Sequence, residues 1–183
     1  MEKLLNKKKL SVKAQTLATF LAVAAAVALP QLMHLLGLIS NLGSTIGETF
    51  LPMHLPVILV GILAGPYVGL ITGVLSPIIS FALTGMPASA MLPFMIIELG
   101  VYGLSAGLLR NAKMPSIAKV LIAQIAGRAI RAAAILMAFY IIGSKAIGVP
   151  VIWNSIIAGI PGIILQLALI PLIDYRLKGK YNE

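Results

Sequence analysis

Polar residues are so sparse along this chain that the apolar stretches between them read as membrane spans. Five stretches, at about 14–36, 67–83, 90–109, 116–142 and 151–173, hold enough consecutive apolar residues to cross a bilayer as helices. A sixth, 51–64, is stunted. At about 1.5 Å per residue it reaches roughly 21 Å, against a hydrocarbon core of about 30 Å. Pro52 and Pro56 stand at its front, where a helix tolerates missing N–H donors. The pattern therefore predicts a helix that starts below the membrane surface, met by a loop that dips down to it. Its first N–H groups need partners at that depth, from Glu48, His54, trapped water or a bound ligand. A half-length helix with its N-terminus in a cavity is a recurring way to build a membrane-embedded binding site.

Punctuation separates the spans. Gly65-Pro66 turns the short helix into the third span, Thr84–Ser89 (TGMPAS) is a turn by composition, and Pro115 opens the fifth. The expected fold is an all-α integral membrane protein of six transmembrane helices in one domain, 1–183, with a short second helix.

Composition agrees. Of 183 residues 60% are hydrophobic and only 10% charged, where soluble domains carry about 25% charge. Little mass remains for a separate catalytic or nucleic-acid-binding domain, so the formal net charge of +9 matters by its placement. The absence of cysteine excludes disulfides, thiolate metal sites and cysteine nucleophiles. A lysine-rich start, an apolar run and Ala26-Val27-Ala28 imitate a signal peptide, but the run at 14–36 is long enough to span and is expected to be a retained first helix.

An even number of spans puts both termini on one side, and the basic residues choose which. Lys3, Lys7, Lys8, Lys9, Lys13, Arg110, Lys113, Lys119, Arg176, Lys178 and Lys180 fall on one side, eleven of fourteen. Lys145 stands alone opposite, and Arg128 and Arg131 fall within the fifth span. The positive-inside rule then predicts cytosolic termini, with the loops at 38–50, 84–89 and 143–150 facing outward.

Small residues recur at helical spacing. Ala14, Ala18, Ala22 and Ala26 form a smooth strip on the first span, and Gly61, Gly65, Gly69 and Gly73 repeat the spacing around the second turn, with Gly103 and Gly107 a shorter case. The glycines read as packing between the chain's own helices. The alanine strip reads equally as internal packing or as a docking face for another membrane protein.

Three charges fall inside the membrane. Glu98 and Arg131 lie at similar depth on antiparallel spans, with Arg128 one turn away from Arg131. An isolated charge at the bilayer centre costs about 2.5–3.5 kcal/mol on insertion scales, so they are expected to face the interior and pair. One Glu against two Arg leaves a formal +1 that an anionic ligand group would neutralise, and Arg131→Ala is expected to weaken ligand binding more than folding. Gln31, His34, Asn154 and Gln124 are further polar candidates, His34 reading as interfacial; Tyr102 and Gln166 suit hydrogen bonds between helices. Trp153 reads as an interface anchor.

Enzyme motifs fail. Gly103-Leu104-Ser105-Ala106-Gly107 matches the nucleophile elbow, but that motif needs a strand-to-helix turn with a nearby base, and here it falls mid-helix. Two histidines without cysteine make a metal site improbable, and no phosphate-binding loop exists to hold ATP. No catalytic residue and no cofactor is expected.

The ensemble of features resembles a family. Six spans, an alanine-rich first helix, and LPMHLPVILVGILAGPYVGLITGVLSPIISFALTGMP followed by MIIELGVYGLSAGLL are similar to the substrate-binding S components of energy-coupling-factor (ECF) vitamin transporters. The likeness covers most of the chain and is densest over 47–109. It implies a subunit in a prokaryotic plasma membrane that captures a vitamin or vitamin precursor from outside. That subunit would join a transmembrane coupling protein and two cytosolic ATPases, and topple in the membrane to release its cargo. The family's A-x-x-x-A motif docks the coupling protein, which points to Ala14, Ala18, Ala22 and Ala26 here. Family pockets draw on the first loop and on the fourth to sixth helices, which points to Glu48, His54, Glu98, Tyr102, Arg128, Arg131 and Asn154. Two interior arginines suit a carboxylate-bearing vitamin such as pantothenate. Neutralised by Glu98 and Glu48, they suit a pyridoxine-type vitamin or a nucleoside precursor of cobalamin equally well. The competing expectations are a self-sufficient carrier driven by an ion gradient, which needs a polar path through both leaflets, and a scaffold whose buried charges are purely structural.

Overall fold

With no water in the bilayer to satisfy backbone groups, the apolar stretches close their hydrogen bonds internally as helices. The computed structural model describes residues 10–40, 49–144 and 146–180, and all the regular secondary structure among them is helical. The elements are α1 (Val12–Ile39), α2 (His54–Ala64), α3 (Pro66–Thr84), α4 (Leu92–Leu108), α5 (Ser116–Tyr140), α6 (Pro150–Ala158) and α7 (Ile160–Lys180). Five of them (α1, α3, α4, α5 and α7) are long and apolar enough to cross a membrane. Local chemistry sets several ends. Ser11 Oγ accepts from Ala14 N at 3.3 Å to cap α1, Pro66 opens α3 after Gly65, and Gly85, in the left-handed region at φ 71°, closes it.

The stunted stretch is the hub. At 11 residues α2 rises only about 17 Å, and it contacts all five long helices. Val57, Ile58 and Ile62 are fully buried, so this helix is apolar on every side, as a helix enclosed by others should be. Its front is satisfied locally in part: His54 N donates to Leu51 O at 3.1 Å, and Pro56 has no N–H to satisfy.

Glycines let the helices behind it touch backbone to backbone. A Cβ on Gly69 would stand 2.2 Å from Gly103 O, and one on Gly107 2.3 Å from Pro66 Cα. The glycine ladder is thus internal packing of α2 and α3 against α4, as expected. The alanine ladder is internal in part. Ala18 and Ala22 pack on Val60, Ala64 and Val68, and Ala26 has no exposed surface.

The sixth span departs from expectation. A continuous helix over 151–173 is replaced by α6 and α7, broken at Gly159. Pro161 has no N–H for Ile157 O, and its ring would crowd that carbonyl in a continuous helix. Gly159 and Gly162 at the break let the chain press on 50–51: a Cβ on Gly162 would lie 2.6 Å from Phe50 O, and one on Gly159 2.8 Å from Leu51 Cδ1.

Candidate functional site

The pressed segment at 50–54 is one wall of a cavity of about 530 Å³ at the bundle end where α1, α3 and α5 finish. That size falls within the range of about 300–1,000 Å³ usual for small-molecule sites. Pro30, Gln31 and His34 from α1 line it, with Ser80 from α3, Met91 and Met95 at the start of α4, and Val151, Asn154, Ser155 and Ala158 from α6. Ala88 and Asn154 are exposed, so the cavity reaches the surface there.

Charged residues form its base. Arg131 Nη1 donates to Glu98 Oε2 at 2.9 Å, and Tyr102 Oη donates to Glu98 Oε1 at 2.7 Å. Both carboxylate oxygens are thereby engaged, on a side chain only 1% exposed, which is the condition for keeping a charge in an apolar interior. The Tyr102 ring packs beside His54, with centroids 5.2 Å apart. It fits only because position 127 is glycine, where a Cβ would lie 2.3 Å from the ring. Arg128 has no hydrogen-bond or ion-pair partner among the described residues, and its Nε and Nη1 are buried.

Of the seven residues expected to meet a ligand, His54, Glu98, Arg128, Arg131 and Asn154 line this cavity. Tyr102 does not; it acts from behind, through Glu98. Glu48 lies outside the described residues. His34, read as interfacial, instead lines the cavity, as does a methionine wall of Met53, Met86, Met91 and Met95 that no motif announced.

Below the cavity a second polar layer ties its wall down. Gln124 Nε2 donates to Gln166 Oε1 at 2.8 Å, and Gln166 Nε2 donates to Leu51 O at 3.3 Å. Leu51 is a non-glycine residue at φ 47°, a conformation that persists only when its surroundings hold it. Gln166→Leu should lower stability by about 1–3 kcal/mol by leaving the Gln124 amide unsatisfied and taking from the Leu51 carbonyl one of its two donors, the other being His54 N. A melting temperature unchanged in detergent would show that this tie carries nothing.

The opposite end also carries polar groups in its interior. Asp174 is fully buried and accepts from Ser116 Oγ at 2.5 Å, while Lys119 Nζ donates to Arg110 O at 2.8 Å. Arg110 Nη1 reaches Ala64 O, the end of α2, at 3.4 Å. These bonds tie α2, α5, α7 and the turn after α4 together where the cavity does not reach. Ser105 Oγ donates to Val101 O within α4, so the G-x-S-x-G match is ordinary helix. No group of three or more metal-ligating side chains occurs among the described residues.

A multi-pass helical bundle holding a solvent-reaching cavity with charged residues at its base defines a membrane protein that binds small molecules. The family model for the substrate-specific component of ECF transporters matches residues 9–173, nearly the whole chain. The chain belongs to that family, and it is a transport subunit. No curated protein and no solved structure matches it.

Proposed function

We propose that this protein is the S component of an ATP-driven importer in a prokaryotic plasma membrane, binding a water-soluble vitamin or vitamin precursor on the outer side. The observation that carries the reading is the cavity itself: about 530 Å³, reaching the surface at one end of the bundle and backed by bonded polar side chains at the other. The cavity end is the outer one because Lys13, Arg110, Lys113, Lys119 and Arg176 mark the other as cytosolic. The rest of the machine would be a transmembrane coupling protein and two cytosolic ATPases, a reading that membership of the family supports. Pantothenate leads as cargo, ahead of a pyridoxine-type vitamin or a cobalamin-precursor nucleoside. Ala14, Ala18 and Ala22, which stay partly exposed on α1, carry the docking of the coupling protein; Ala26, wholly buried, does not.

Mass spectrometry of small molecules released from the purified chain, followed by uptake assays in vesicles, tests this. One vitamin-type molecule per chain is expected, with uptake only when the coupling module is co-reconstituted, and Ala14→Trp should lower uptake with binding unchanged. Uptake by the lone chain under an ion gradient would replace this reading with a self-sufficient carrier.

A further inference from the structure

Among the described residues the cavity has one guanidinium more than it has carboxylates to match. Glu98 is committed to Arg131 at 2.9 Å and to Tyr102 at 2.7 Å, which leaves that set electrically balanced. Arg128 lines the same cavity with no hydrogen-bond or ion-pair partner among the described residues. A guanidinium has only donors and stays charged at any physiological pH, so it cannot relieve its burial by losing a proton. Its neighbours add to the demand: Arg131 Nε and Gln31 Nε2 are also buried without acceptors. The remaining wall is soft and apolar, from Met53, Met86, Met91 and Met95, and no Phe, Tyr or Trp lines the cavity among the described residues. A cation would therefore meet surplus positive charge and no aromatic face to offset it.

We propose that the cavity selects a ligand bearing one oxyanion group, a carboxylate or a phosphate, which seats on Arg128, with the ligand's apolar body lying against the four methionines. This deepens the proposed function and rests on it. It assigns the two arginines different work: Arg131 holds the cavity base through Glu98, and Arg128 meets the ligand. Planar oxyanions match the guanidinium fork, and such charge-assisted bonds are about twice as strong as neutral ones.

The test uses the full chain in detergent or nanodiscs and matched pairs of probes, read by thermal shift and calorimetry. The pairs are pantothenate and panthenol, nicotinate and nicotinamide, and pyridoxal 5′-phosphate and pyridoxal, with thiamine as the cation. At least one anionic member should bind at least about tenfold more tightly than its neutral partner. Which pair shows the preference tells carboxylate from phosphate. Arg128→Gln should erase the preference and Arg128→Lys should keep it, at reduced affinity. Equal binding of a neutral partner, tighter binding of thiamine, or a preference that survives Arg128→Gln would overturn the proposal. Should Arg128→Gln not fold, the panel on the unaltered chain decides by itself. Where no probe binds, the molecule that co-purifies decides: an anion supports the proposal and a neutral molecule or cation overturns it. No co-purified molecule at all removes the vitamin-binding reading as well, which separates the two failures.

Discussion

Gly103→Ala will lower the melting temperature of the purified protein far more than Gly100→Ala, three residues away on the same helix. The two positions carry the same chemical change in different surroundings. At Gly100 a new methyl would meet Val74 Cγ2 at 3.3 Å and Leu70 Cδ1 at 3.5 Å, both ends of side chains that can turn aside. At Gly103 it would lie 2.0 Å from Gly69 O and 2.9 Å from Gly69 Cα, which are backbone and cannot. Helices α3 and α4 would have to part, and with them the contacts that α2 makes with both. Overpacking of a core costs about 1–3 kcal/mol, and Gly103→Ala should fall at or beyond the top of that range. Gly103→Leu should yield no folded protein. The Ala change at Gly100 should stay within about 1 kcal/mol, since better helix propensity offsets the small crowding. Equal melting temperatures for the two alanine variants would mean that the α3–α4 contact is not as close as described.

That contact shows why so much of the fold was legible in the sequence. Span positions follow from the scarcity of polar residues, and in lipid a long apolar run has essentially one structure open to it. The small-residue spacing of Gly61, Gly65, Gly69 and Gly73 marked close approach but not the partner, which only the folded chain supplies as Gly103 and Gly107. The break at Gly159 was the main miss. Hydropathy is blind to it, because both halves are apolar; Pro161 is a signal in the sequence, but proline is tolerated in membrane helices and does not by itself mark a break. The alanine ladder carried the same ambiguity and resolved towards internal packing at Ala26.

For the site, the legible part was ionic. A Glu and two Arg in apolar spans announce themselves because lipid would not tolerate them, and their depths matched. The apolar wall was not legible, since methionines facing a cavity and methionines facing lipid look alike in sequence. Nor was Asp174, which reads as part of a charged tail until the fold closes α7 against Ser116. His34 was misread for a related reason: a polar residue near a span end is commonly interfacial, and only the seating of the stunted helix leaves a space beside it.

The ion pair also changes what removal of Arg131 should do. Expected from sequence to act on binding first, it is instead one half of a buried pair with Glu98, itself 1% exposed. Glu98→Gln leaves Arg131 without its carboxylate, and Arg131→Met leaves the buried Glu98 carboxylate without its cation. Each single change should cost about 3–5 kcal/mol, because breaking a buried pair leaves an uncompensated charge. The paired replacement Glu98→Gln with Arg131→Met should cost much less than the sum. It removes both charges while the Gln side chain can still accept from Tyr102, and an apolar side chain of similar length suits the space. A double-mutant cycle on melts in one detergent measures the difference, and a coupling of at least about 2 kcal/mol is expected. Additive losses would mean that the two side chains are held by something other than each other. Because Arg128 stays in place in the double variant, its retained preference for an anionic ligand would further separate the residue that supports the cavity from the one that meets the cargo.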